Sequence, residues 1–205
     1  MGIDGFWWFY KVEEPSFSAV QLEFNEAVKG APSLPAVPSL APRPKAPPVT
    51  QGYVNSIMEG MFVGSDLCSE IYHEPFNVLA YKLLEEEAPL PPENCIKMVM
   101  QSRVLPPAIL LMGIGSERFS QLLGHLGNML LHPDEIEEAI VTVAQALEVD
   151  WDGYFQRAKL ILDYAGSDDH AAKDVSDALY AIPKALAEVK AEGAGILAVM
   201  SWGCP

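Results

Sequence analysis

Apolar positions follow two kinds of pattern along this chain. At the two ends they are continuous: GFWWFYKV sets five aromatic rings side by side from Phe6 to Tyr10, and AGILAVMSW, 194–202, carries no charge. A short unbroken apolar run between turn signals reads as a strand covered on both faces, because alternation appears only where one face meets water. Residues 5–12 and 194–202 are therefore predicted as strands, neighbours in one sheet beneath helices. At about 25 cal/mol per Å² and roughly 150–250 Å² per ring, burying the five rings contributes on the order of 20 kcal/mol before conformational entropy opposes it.

Between the ends, helical spacing dominates. Phe17, Val20, Phe24 and Ala27 recur on one face after Ser16, a possible cap, and Gly30 can end that helix. EPFNVLAYKLLEEE predicts a second helix, with Pro75 in its first turn and Glu85, Glu86 and Glu87 fraying its end, where the dipole disfavours anions. CIKMVM alternates like a strand. The run from Ala108 to Leu131 reads as helical pieces broken by glycines, since Pro106 and Pro107 suit a helix start and no further strand pattern follows.

HPDEIEEAIVTVAQALE is the clearest helix: Pro133 and three acids begin it, and Ile136, Ala139, Ile140, Val143 and Leu147 form its stripe. His132 stands at its cap. WDGYFQRAKLILDYAG and the long segment up to Gly193 complete the set, with Pro183 expected to kink the last helix. The elements sum to an α+β fold, one domain over 1–205, with a small sheet that includes both terminal strands and is covered by helices.

One segment resists both patterns. Residues 31–48 hold seven prolines in eighteen positions, which removes backbone donors and fixes φ, so the segment can join neither a helix interior nor a central strand. It predicts an extended connector. At about 3.1 Å per residue it would span about 55 Å, enough to cross a small domain. A scaffold tether or a polyproline ligand is the sharper reading of the same residues.

Charge narrows the choice of partner. The 205 residues carry 28 acids against 13 bases, a net charge of −15, with the excess between residues 51 and 150. A field of that sign repels phosphate backbones and anionic lipid, which argues against nucleic acid and membrane partners, and favours a basic protein. Asp134, Glu135, Glu137 and Glu138 are the candidate partner-facing acids. No window reaches the roughly 18–20 apolar residues of a membrane span, and the opening stretch lacks the basic region of a secretory signal. The three cysteines, Cys68, Cys95 and Cys204, are odd in number and form no CxxC pair. A cytoplasmic protein is expected.

Catalytic signatures are weak. His73, His125, His132 and His170 are too scattered for a metal motif, so no metal or cofactor is expected. Cys68 and His73 are five residues apart with no third group to support a thiol site. GIGSER, 113–118, resembles an anion loop but lacks the third glycine and the lysine of phosphate-binding loops, so it reads as a turn. If there is a pocket between sheet and helices, Trp7, Trp8, Trp151 and Trp202 are its candidate walls, with Arg118 or His125 as polar groups.

MGIDGF at the start, LHPDEIEEAIVTVAQAL later and the closing GAGILAVM together resemble the YfbM-like family of small bacterial proteins, over about a third of the chain. That resemblance implies an α+β cytoplasmic domain and lends no catalytic residue. The proline-rich segment and much of the middle depart from the family pattern. The expected function is therefore a non-enzymatic acidic protein that regulates or neutralises a basic partner, as immunity and antitoxin-like proteins do. The alternative is a small-molecule-binding protein or enzyme with a pocket between sheet and helices. Self-association through apolar patches is also compatible with the sequence.

Overall fold

The computed structural model describes residues 4–39, 66–85, 90–166 and 170–203. The second part of the proline-rich connector, 40–48, and Glu86, Glu87 and Cys204 lie outside them. The fold is α+β. Four strands, β1 (Asp4–Val12), β2 (Cys95–Ser102), β3 (Met129–Leu131) and β4 (Gly195–Trp202), form one antiparallel sheet in the order β2-β1-β4-β3. The terminal strands are neighbours, as their composition predicts, with Trp8 opposite Val199 and Val12 opposite Gly195. Among the described residues the helices include α1 (Glu14–Val28), α2 (Glu74–Lys82), α3 (Pro106–Ile114), α4 (Ser116–Phe119), α5 (Ile136–Ala146), α6 (Trp151–Ala165) and α7 (Ala171–Glu192), and residues 66–71 are helical as well.

The unbroken apolar strands have a direct cause: helices cover both faces of the sheet. Trp7, Phe9, Ile196, Ala198 and Met200 pack with α3, α5, α6 and α7. Phe6, Trp8, Tyr10, Val12, Leu197 and Val199 pack with α1 and α2 on the other side. Period-two alternation thus divides the five rings between two cores, and the buried hydroxyl of Ser201 in β4 is met by the Trp8 indole N–H.

Two differences from the sequence reading have local explanations. The Ala108–Leu131 run is not helical throughout. It ends in β3, which follows a turn in which Leu126 (φ 52°) and Gly127 (φ 91°) both take positive φ, the geometry of a tight hairpin turn. Buried Asn128 fixes that turn to the sheet: its Oδ1 accepts from the Met200 N–H at 2.9 Å and its Nδ2 donates to the His125 carbonyl at 3.0 Å. The first helix begins at Glu14, with Glu13 as its cap and Pro15 in its first turn, so Ser16 is already inside it. Pro183 lies inside α7, at the interior position the sequence gives it.

The second helix stops at Lys82, three residues before Glu85. Gly113 of α3 packs directly on the Tyr154 ring of α6. A Cβ on Gly113 would lie 2.1 Å from the Tyr154 ring, so only glycine admits the crossing.

Candidate functional site

The topology gathers chain ends at one pole of the sheet. Val12 faces Gly195 and Leu131 faces Ile196, so β1 ends, β4 begins and β3 ends side by side. The starts of α1 and α5 and the end of α7 follow directly from those strands. These junctions carry Glu13, Glu14, Asp134, Glu135, Glu137, Glu138 and Glu192, with Lys11 and Lys190 among them. Seven carboxylates against two lysines leave five negative charges, a third of the chain's fifteen.

The candidate acids of the 134–138 stretch divide by what they do locally. His132 and Glu135 form a capping box: the His132 N–H donates to Glu135 Oε2 at 2.7 Å, and His132 Nδ1 accepts from the Asp134 N–H at 3.4 Å. Glu137 pairs with Lys190 at 3.0 Å. Glu138 is exposed, and the Asp134 side chain is 94% exposed. The dipole explains acids at the start of a helix, but Glu192 sits at the end of α7, where the dipole opposes it. Lys11 holds it at 2.7 Å and also reaches Glu13 at 3.6 Å, and the hydrogen bond to Glu192 is the main reason the Lys11 ammonium is raised above its ordinary pKa. His132 joins the two cap regions, with Nε2 3.0 Å from Glu14 Oε1 and its ring edge-on to Phe17.

The pocket candidates are not brought together. Trp7 and Trp8 lie in the two different cores, Trp7 donating to the Gly127 carbonyl at 2.8 Å and Trp8 to Ser201 Oγ at 3.0 Å. Trp202 lies at the far end of β4, with its N–H on Asn77 Oδ1 and its carbonyl on the Tyr81 hydroxyl. Trp151 stacks on Phe155 at the partly exposed start of α6. Arg118 donates to the Glu148 and Ala146 carbonyls, which satisfies the end of α5. Cys68 is buried, and burial pushes its thiol up to about 11, far from the thiolate a nucleophile needs.

GIGSER has a structural duty as well. Gly115 turns the chain between α3 and the single turn of α4, and Ser116 grips the connector: its hydroxyl accepts from the Val37 N–H at 3.1 Å and donates to the Pro35 carbonyl at 3.2 Å. Residues 31–39 lie here without regular structure, with Leu34 and Val37 against the core.

His125, the remaining candidate, lies where the connector crosses the hairpin turn. Its ring stacks at 6.1 Å on Phe76, which also neighbours Phe24 at 5.5 Å and His73 at 5.7 Å. The Nε2 atoms of both histidines are buried without a hydrogen-bond partner. Burial lowers the His125 pKa, as does the neighbouring His73, while the Pro32 backbone raises it. Two open concavities flank the connector. One of about 620 Å³ is lined by Pro32, Pro35, Ser69, Glu70, Tyr72 and His73. The other, about 160 Å³, is lined by Leu34, Phe119 and His125 among others. Sequence spacing could not pair residues 73 and 125; only the Phe76 contact does.

Among the described residues no group of three or more metal-ligating side chains is assembled, and no helix is long and apolar enough to cross a membrane. Searches against family models, curated proteins and solved structures find nothing that matches this chain.

Proposed function

We propose that this is a non-enzymatic interaction protein that binds a basic protein and regulates or neutralises it, in the manner of immunity or antitoxin-like proteins, in the cytoplasm. The observation that carries the reading is the acidic pole, which holds a third of the net charge at the end of the sheet where α1 and α5 start and α7 finishes. Exposed ion pairs contribute only about 0–1 kcal/mol each, so the fold has little need of such a concentration of carboxylates. A partner with a complementary lysine- and arginine-rich face would be steered to it, with an on-rate that falls as salt rises. The resemblance to the YfbM-like family is compatible with this reading, since it too lends no catalytic residue.

The test is capture from native lysate at low and high salt, using the wild-type chain and the double variant Asp134→Lys, Glu138→Lys. These two positions are chosen because Glu135 completes a cap and Glu137 holds Lys190. A basic protein retained by the wild type at low salt, and lost at high salt and in the variant, is the expected result. Retention unaffected by both salt and the variant overturns the reading.

A second reading has one observation in its favour. The unpartnered Nε2 atoms of His73, on the 620 Å³ concavity, and of His125, on the 160 Å³ one, could accept from or donate to a small polar ligand. A metabolite that raises the melting temperature of the wild type but not of His73→Phe would favour it over the acidic pole.

A further inference from the structure

The sheet has two edges, and they are unlike. β3 is three residues long, whereas β2 runs for eight, and among the described residues no strand pairs with its outer side. Alternate residues of an antiparallel edge strand point their N–H and C=O groups away from the sheet, which makes a long edge a template for another strand. Natural proteins blunt such edges with charge, proline or a bulge. β2 carries one charge, Lys97, and no proline, and the break in its pairing with β1, between Phe9 and Tyr10, lies toward its Cys95 end.

Its exposed face is apolar. Met98 is 48% and Met100 53% exposed, whereas Val99 and Gln101 between and beyond them are buried on the other face. The two methionines lie beside Trp8 and Phe6 in the ladder, and those rings stack at 5.5 Å, so the apolar row of β1 continues to the edge.

We propose that the outer edge of β2 pairs antiparallel with β2 of a second copy of this chain, extending the two sheets into one of eight strands. Two features single out a second copy. The first is self-complementarity: a two-fold axis through Val99 sets Met98 opposite Met100 of the other copy, and Met100 opposite Met98, in a four-methionine cluster. The same register sets Lys97 opposite Gln101 and keeps the two lysines four residues apart, about 13 Å along the strands, beyond a Debye length of about 8–10 Å. A register shifted by one residue would place exposed methionines over buried positions of the facing strand.

The second feature is charge. Two copies of a chain with net charge −15 repel, so they can meet only where carboxylates are absent. From Cys95 to Ser116 there is no Asp or Glu, and the segment carries Lys97 and Arg103. The seam joins one strand from each copy, a small interface, so the dimer is weak, concentration-dependent and strengthened by salt that screens the repulsion. That salt response is opposite to the one expected for a basic partner at the acidic pole, so the two proposals stand or fall separately.

Sedimentation velocity of the full chain over a hundredfold concentration range, at low and moderate salt, is the test, with two double variants at exposed positions. Met98→Glu with Met100→Glu places like charges across the seam and is expected to leave only monomer. Met98→Lys with Met100→Glu places opposite charges across it in the same register, and is expected to restore the dimer. A wild type that stays monomeric over the whole range overturns the proposal. So does a dimer whose mass is indifferent to Met98→Glu with Met100→Glu, or one lost equally in both variants.

Discussion

Replacing Gly113 with alanine sets two physical effects against each other, and the structure says which wins. In an exposed helix interior the change is stabilising by about 1 kcal/mol, because alanine loses less backbone freedom than glycine. Here the new methyl would sit 2.1 Å and 2.4 Å from two carbons of the Tyr154 ring. Tyr154 is fully buried, and its hydroxyl donates to the Val175 carbonyl at 3.1 Å, so the ring cannot retreat without breaking that bond between α6 and α7. Overpacking costs about 1–3 kcal/mol, and a buried Tyr154 hydroxyl left without its acceptor about 1–3 kcal/mol more. The net loss is about 3 kcal/mol after the propensity gain. With a denaturant slope of about 2 kcal/mol per molar, the urea midpoint should fall by about 1.5 M. Pairing Gly113→Ala with Tyr154→Leu should cost less than the sum of the two changes, because the shortened side chain gives the methyl room. A Gly113→Ala midpoint equal to or above that of the wild type would refute the close crossing of α3 and α6.

Two further outcomes follow from the titratable groups. Burial lowers the His125 pKa in the folded protein, so the unfolded chain binds more protons in the window just below the ordinary value of about 6.5. Stability should therefore fall as pH drops through that window, and His125→Asn should flatten the decline. An NMR titration of the His125 ring placing its pKa at or above about 6.5 would contradict this. The Cys68 thiol, raised by burial, should resist a disulfide reagent near pH 8 in a chain lacking Cys95 and Cys204, and react only on unfolding. Reaction of the native chain within minutes would place Cys68 at the surface.

The strands β1, β2 and β4 and the long helices were legible in the sequence because each rests on a local signal. Five adjacent rings need two covered faces, and the stripe of α5 with its capped start leaves no competing element. β3 was not legible: three residues are too few to show a period, and the hairpin turn before it uses Leu126-Gly127 in place of the usual Asn-Gly. The acidic pole was half legible. Asp134 to Glu138 stand together in the chain, but Glu13, Glu14 and Glu192 reach them only through the pairing of Val12 with Gly195 and Leu131 with Ile196. The role of Ser116 was hidden for the same reason, since its two partners lie about eighty residues away in the connector.

The central claim is that the acidic pole receives a basic partner. It is tested most directly by the association rate of the captured basic protein with the wild-type chain and with the Asp134→Lys, Glu138→Lys variant, across a range of ionic strength. The account predicts a wild-type rate that falls steeply with salt, and a variant rate that is slower at low salt and nearly flat. Identical rates and identical salt slopes for the two chains would place the binding surface elsewhere and contradict the account.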